Sequence, residues 1–304
     1  MANPAYVAVD WGTSSFRLWL IGADGGILAE RRSGEGMTSA AKTGFSAVLA
    51  GHLTAIEAPE SLPVIVCGMA GAKQGWVEAG YIDVPAPLTS ILTGAVSVPG
   101  ESRDVRILPG LAQRDRATPD VMRGEETQLL GALGSANSGA QAVCMPGTHS
   151  KWVHVNDGKV TGFSTFMTGE LFDAISKHTI LSHAVAGAEE QPADAAAFEA
   201  AVSAAFARPA LASNLLFTAR SGQLLHGISA AAAQARLSGT LIGLEIAGAL
   251  QETSSADITL VASGRLQALY EQAFRALSLA FTTIDADAAV RRGLSAAAEA
   301  IWPN

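Results

Sequence analysis

Short runs of apolar and β-branched residues, each closed by a glycine-bearing turn, open the chain. Residues 6–9, 16–21 and 27–32 predict three successive strands, joined by Gly12-Thr13-Ser14-Ser15 and by Asp24-Gly25-Gly26. Joints this tight allow an antiparallel meander. A helical period over 40–56 follows, and then a continuous apolar run at 64–67, which predicts a buried, parallel-type strand ending in Gly68-Met69-Ala70-Gly71. Pro85, Pro87 and Pro99 break the next stretch into irregular loop with a short strand, before a strand at 106–108 and a helix at 124–133. The plan then starts again. Residues 142–145, 151–156 and 159–166 predict a second meander turning at Asn156-Asp157-Gly158, and helical patterns run from 169 to 250, punctuated by Gly187, Pro192, Pro209 and Gly222. A last buried strand at 258–263 closes on Gly264, with helices at 265–280 and 287–301 after it. The Ala-rich stretch 184–212 holds few large apolar residues and predicts peripheral helices.

The two meanders carry the same chemistry at their first turns. Asp10-Trp11-Gly12-Thr13-Ser14-Ser15 and Pro146-Gly147-Thr148-His149-Ser150-Lys151 each follow one apolar run and precede another, so each Gly-Thr pair is expected at a hairpin tip. A glycine there lets the backbone approach a ligand, and the N–H groups with the Thr and Ser hydroxyls can bond phosphate oxygens. Two such loops, most of a domain apart, point to two domains gripping one nucleoside triphosphate.

Composition narrows the class. At 304 residues the chain exceeds the usual single domain, and 49% hydrophobic against 16% charged residues supplies large cores and argues against disorder. A net charge of −8 without an Arg/Lys cluster argues against nucleic acid. No basic segment precedes the first strand, Arg236 and Glu245 interrupt the apolar run at 227–250, and Cys67 and Cys144 sit singly in apolar runs. A buried helix, unpaired core thiols and a cytoplasmic protein without signal peptide or membrane span are therefore expected. The oligomeric state stays open, with a homodimer as one arrangement.

Four motifs in order carry a resemblance over nearly the whole chain: Asp10-Trp11-Gly12-Thr13-Ser14-Ser15-Phe16-Arg17-Leu18-Trp19, Gly68-Met69-Ala70-Gly71, Arg123-Gly124-Glu125-Glu126-Thr127-Gln128 and Pro146-Gly147-Thr148-His149-Ser150-Lys151-Trp152. The paired hairpins resemble the superfamily of sugar kinases, actin and heat-shock chaperones. The four motifs together resemble the 2-dehydro-3-deoxygalactonokinase family. That resemblance implies an α/β fold of two ribonuclease H-like domains, the actin/hexokinase-type ATPase fold, with ATP in an interdomain cleft. The domains would be 1–138, with the first hairpin and the sugar-acid side, and 139–304, with the second hairpin and the adenosine side. The implied reaction transfers the ATP γ-phosphate to the terminal (6-) hydroxyl of 2-dehydro-3-deoxy-D-galactonate, with Mg²⁺, in galactonate or galactose catabolism. Alternatives are a kinase of another sugar or sugar acid, an exopolyphosphatase-like phosphohydrolase, an actin-like or chaperone ATPase, and a non-catalytic sugar sensor.

Residue by residue, Asp10 ends an apolar strand. It is either a turn-forming Asp or, as the superfamily implies, the group that orients Mg²⁺. Gly12, Thr13 and Ser14, with Gly147, Thr148, His149, Ser150 and Lys151, are the phosphate-binding candidates. Gly264 resembles the superfamily's adenosine motif. Glu125 and Glu126 open a helix whose positive end favours acids in any case. The resemblance makes Glu125 the first choice and Glu126 the second for the base that takes the hydroxyl proton. Adjacent helical residues point about 100° apart, so only one of the two can face a substrate. For the sugar-acid carboxylate the candidates are Arg17, Lys73, Arg103 and Arg123, with Met69, Ala70 and Trp76 as walls. The segment Met167-Thr168-Gly169-Glu170 either faces the ligand or caps the helix after it.

Overall fold

The computed structural model describes residues 3–134, 139–251 and 257–303. The expected first meander forms as β1 (Pro4–Trp11), β2 (Phe16–Gly22) and β3 (Ile27–Ser33). Next come α1 (Met37–Thr43) and α2 (Phe45–Ala55), where a single helix was expected. Gly44, at φ 95°, breaks it. Then follow β4 (Val64–Gly68), β5 (Tyr81–Asp83), β6 (Ala86–Pro87), α3 (Ser90–Thr93), β7 (Val96–Ser97), β8 (Val105–Ile107), β9 (Gly110–Gln113), β10 (Asp120–Met122) and α4 (Glu125–Leu133). The second meander is β11 (Ala140–Met145), β12 (Ser150–Asn156) and β13 (Lys159–Phe166). Helices α5 (Thr168–His178), α6 (Ser182–Val185), α7 (Ala195–Ala207), α8 (Ala212–His226) and α9 (Ala230–Gln251) lead to β14 (Ile258–Ala262), α10 (Gly264–Ala276), β15 (Phe281–Asp285) and α11 (Ala286–Ile301).

Contacts divide the chain into two compact units. The first is Met1–Gly139 with Val155–Phe163 and Ile284–Asn304; the second is Ala140–His154 with Ser164–Thr283. The expected boundary at 138/139 adjoins residues 135–138, which lie outside the described residues. In the first unit the sheet runs β3-β2-β1-β4-β8-β7, with β2 antiparallel to both neighbours and β4 parallel to β1 and β8. The sheet built on the second meander repeats that order as β13-β12-β11-β14-β15, with β14 parallel to β11. A meander followed by strands added beside its first member is the mixed α/β, ribonuclease H-like order, found twice in one chain.

Burial explains the composition of these strands. Val7, Val9, Val64 and Val66 are fully enclosed and pack with Trp11, Phe16 and Leu18; central strands covered on both faces read as continuous apolar runs. Helix α11 returns to the first unit and crosses α4 on bare backbone. A Cβ added at Gly131 would overlap the Ala289 carbonyl, and one at Gly293 would overlap the Thr127 carbonyl. That crossing fixes the helix whose first residues are Glu125 and Glu126.

Two expectations about the second unit are corrected. The Ala-rich α7 is part of the core: Phe198 and Val202 are buried beside Ile242 and Ile246. Small residues bring its axis close to α9, where a Cβ at Gly239 would lie 2.5 Å from the Phe198 carbonyl oxygen. Gly222 does not end its helix; α8 runs to His226 and stops at Gly227, φ 62°. The apolar run at 227–250 is a buried helix as expected, and among the described residues no single helix is long and apolar enough to cross a membrane. Cys67 and Cys144 are free and buried.

Candidate active site

The first hairpin is held from below so that its tip faces outward. The Gly12 N–H bonds the Ser15 carbonyl at 2.9 Å, and the first N–H groups of α1 reach up to the hairpin carbonyls, Met37 to Gly12 at 2.9 Å and Thr38 to Thr13 at 3.1 Å. Helix starts have donors without intrahelical partners, and here the loop carbonyls accept them. Thr13, Ser14 and Ser15 are exposed at the tip, where their N–H and hydroxyl groups are available to an anion.

Asp10 lies at the root of this hairpin, 8% exposed. Its carboxylate pairs with Arg17 directly across the β1–β2 register, and Arg17 also pairs with Asp287 at the start of α11. Arg32 holds the other oxygen of Asp287 at 2.8 Å. Burial pushes the Asp10 carboxyl up and Arg17 opposes that shift. Arg17, a candidate for the substrate carboxylate, is thus engaged by two acids of its own chain. Asp287 went unnoticed in the sequence because 270 residues separate it from Arg17.

The end of β4 approaches this point. Gly68, at φ 90°, passes so close that a Cβ there would lie 2.6 Å from the Trp11 carbonyl oxygen and 3.4 Å from Asp10 Oδ1. Gly124, just before α4, abuts Gly68 in turn. The backbone packing thereby brings the Glu125-Glu126 helix start beside Asp10, with the buried Cys67 thiol between Asp10 and the Glu126–Thr127 pair. The two glutamates differ. Glu126 is fully buried; its Oε2 accepts the Gly124 N–H at 2.6 Å and its Oε1 the Thr127 hydroxyl at 3.0 Å. Glu125 is half-buried and accepts the Arg123 N–H at 3.0 Å.

Burial and the neighbouring Glu125 charge raise Glu126 from its ordinary 4.5 to about 8. A raised acid favours folding only while protonated, so this contribution is complete below pH 4.5 and is lost as the pH rises through about 8. Glu126→Gln is neutral at every pH. The wild-type melting temperature should therefore fall relative to that of Glu126→Gln between pH 5 and 8 and run parallel to it above that, and curves parallel throughout from calorimetry would show that Glu126 titrates as it does in the unfolded chain.

Arg123 is the candidate cation with capacity left over. Its Nη2 donates to the Gly80 carbonyl at 2.7 Å and its guanidinium lies over the Tyr81 ring, 4.4 Å from the centroid. Nε and Nη1 are buried and, among the described residues, donate to nothing. Gly71 makes room for it, since a Cβ there would lie 2.8 Å from Nη1. By contrast Arg103 binds the carbonyls of Ala58, Pro59 and Leu62 and clamps the loop before β4. Lys73 is exposed; Ala70 is buried in the core; Trp76 stacks on Phe45; and Met69 is half-buried.

In the second unit, hairpin 146–149 is supported by the same device. The Glu170 N–H of α5 bonds the Thr148 carbonyl at 3.0 Å, and Gly169 packs so tightly that a Cβ would lie 2.8 Å from the Thr148 Cα. Segment 167–170 therefore backs the hairpin. His149 Nε2 and Glu170 Oε2 are 2.6 Å apart, with both side chains half-exposed. Ser150 is fully buried with its hydroxyl turned inward to Tyr270, and Lys151 is buried with Nζ donating to Thr165 at 2.8 Å. Thr148 and His149 are exposed at the tip. Beside Gly147 a largely apolar cavity of about 220 Å³ opens between α5, α9 and the start of α10, lined by Phe172, Ile242, Arg265, Leu269 and Tyr270. Gly264 stands at that helix start with open space where a side chain would be.

A family model for 2-keto-3-deoxy-galactonokinase matches residues 10–297. A Rhizobium meliloti (strain 1021) protein assigned as a 2-dehydro-3-deoxygalactonokinase is 65% identical over 98% of both chains. The 2-dehydro-3-deoxygalactonokinase of Escherichia coli (strain K12) is 37% identical over 97% of this chain and 98% of its own. A crystal structure of a Sinorhizobium meliloti protein with the same assignment is 64% identical and superposes with a TM-score of 0.94 over 98% of this chain and all of that one. On the family match and the full-length relatives, the chain belongs to the 2-keto-3-deoxy-galactonokinase family.

Proposed function

We propose that the protein is an ATP-dependent kinase that phosphorylates the 6-hydroxyl of 2-dehydro-3-deoxy-D-galactonate, in sugar-acid catabolism. The observation that carries the reading is the packing of Gly124 on Gly68, which sets the start of α4, with its half-buried Glu125, against the end of β4 where Gly68 meets Asp10. In this reading Glu125 takes the proton of the primary hydroxyl as that oxygen bonds to the γ-phosphorus, and the bond from phosphorus to the β,γ-bridging oxygen breaks to release ADP. Arg123 receives the sugar-acid carboxylate. Thr13, Ser14, Thr148 and His149 offer donors to the phosphates, and the cavity behind Gly147 and Gly264 takes the nucleoside.

The residues also fit Mg²⁺. Among the described residues no three metal-ligating side chains come together. Asp10 would act as one carboxylate for an ion that otherwise keeps water and phosphate oxygens, the usual manner of Mg²⁺. When bound, the ion neutralises phosphate charge. Free buried thiols suit a reducing compartment, and we place the enzyme in the cytoplasm.

The test is ADP release from Mg·ATP with 2-dehydro-3-deoxy-D-galactonate, its gluconate epimer, galactose, glycerol and polyphosphate offered separately. A selective rise with the galactonate derivative supports the proposal. ADP at the ATP-only background with every sugar acid overturns the substrate, and phosphate release from polyphosphate would favour a phosphohydrolase.

A further inference from the structure

Glu245 is a charged residue in the middle of α9 that the reaction as described does not use. It is 1% exposed, in a helix whose neighbouring core positions are Leu241, Ile242, Ile246 and Ala249. A carboxylate at such depth is costly unless donors surround it. Here they do. Oε1 accepts the Trp152 indole N–H at 2.9 Å and Oε2 accepts the Tyr270 hydroxyl at 2.7 Å, while the Thr168 hydroxyl also bonds the carboxylate.

The proton directions follow from this set. Trp152 can only donate, and Tyr270 directs its proton to Glu245, while the Ser150 hydroxyl lies 3.1 Å from the phenol oxygen and also bonds the Glu245 carboxylate directly. Ser150 Oγ in turn accepts the Gly147 N–H at 3.4 Å. Glu245 thus reaches Ser150, and through it Gly147 of the hairpin, both directly and by way of Tyr270, and Thr168 starts the helix that backs the same hairpin. Three elements that enclose hairpin 146–149, namely β12, α5 and α10, are therefore tied to one carboxylate.

We propose that Glu245 is a positioning residue for phosphate recognition: by collecting Trp152, Tyr270 and Thr168 it fixes Ser150 and holds hairpin 146–149 in the shape that receives the nucleotide phosphates. The inference rests on the kinase reading of that hairpin. Glu245 itself touches no ligand; its effect passes through Tyr270, Ser150 and Thr168. An apolar residue of similar size would fill the space equally well, and buried polar networks of this kind contribute more to a unique geometry than to stability.

The test compares wild type with Glu245→Gln, which keeps the shape but brings an NH₂ among the donors, and with Glu245→Met, which fills a similar space but offers no carboxylate to Trp152, Tyr270, Ser150 and Thr168. Calorimetry gives the Kd of Mg·ADP, and competition gives that of adenosine, which has no phosphates to contact the hairpin. Both variants should bind Mg·ADP about tenfold more weakly, raise the KM of Mg·ATP to match, and leave adenosine and the sugar-acid KM within twofold of wild type. Unchanged Mg·ADP binding, or equal weakening of adenosine and Mg·ADP, overturns the proposal by making the network irrelevant or merely structural. Glu245→Met decides the matter if Glu245→Gln does not fold. A wild type that binds Mg·ADP without sugar-acid-dependent turnover defeats the proposed reaction instead, and leaves the positioning role to be judged on the binding data alone.

Discussion

Glu125→Gln should lower kcat by 10²- to 10⁴-fold, the usual range for removing a positioned general base. The KM values for Mg·ATP and the sugar acid should stay within about threefold, because the amide keeps the size of the carboxylate and can still accept the Arg123 N–H. Glu126→Gln should keep most of its turnover. The difference has a physical origin: the Glu126 oxygens are both occupied at the start of α4, the group is sealed from solvent, and with a value near 8 it is largely protonated at neutral pH and cannot take a proton. Steady-state kinetics of the two variants at pH 7, with melting curves to show that both fold, decide between them. Near-normal turnover in Glu125→Gln would remove it as the base, and a loss confined to Glu126→Gln would transfer the role.

What was legible in the sequence was local. Both meanders followed from apolar runs divided by Gly-Thr, Asp-Gly-Gly and Asn-Asp-Gly turns, since a tight turn dictates the pairing of the strands it joins. Helix α4 was legible at 124–133, and α9 nearly coincides with the apolar run at 227–250 read as a buried helix. The missed features depend on distant partners. Nothing near Arg17 announces Asp287, and nothing near Glu245 announces Tyr270 or Trp152. The membership of α7 in the core was hidden because alanine and glycine report close helix approach only once the partner helix is known. The strand β15 was missed because Phe281–Asp285 is short and half-buried, with little alternation to separate it from the helix before it. The candidate site stands between these cases. Its residue types could be read from four motifs, but the different environments of Glu125 and Glu126 arise from Gly68, Gly124 and the α4–α11 crossing, all of which belong to tertiary packing.

The same packing singles out Arg123 among the cations. Arg123→Met should lower kcat/KM for the sugar acid by roughly 10²- to 10³-fold, mainly through KM, while the KM of Mg·ATP changes less than about threefold. With Nη2 on the Gly80 carbonyl, a tyrosine ring against its face, and Nε and Nη1 without partners among the described residues, Arg123 is the cation we propose for the sugar-acid carboxylate, met on an edge that Nη2 shares with Nε or Nη1. Leaving those donors unmet is unfavourable, which supports the proposal that a ligand partners this guanidinium. Arg17 lacks this capacity because Asp10 and Asp287 already hold it, Arg103 is committed to three carbonyls, and Lys73 lies exposed. Arg123→Lys should not rescue the loss, since an ammonium neither stacks on Tyr81 in the same way nor offers a fork to a carboxylate. An analogue of the substrate reduced to the alcohol at C1 separates recognition from folding: wild type should handle it about as poorly as Arg123→Met handles the acid. If Arg123→Met discriminated against the alcohol as strongly as wild type does, the carboxylate would have to be bound elsewhere, and the two unmatched donors would serve only the Gly71 turn against which they lie.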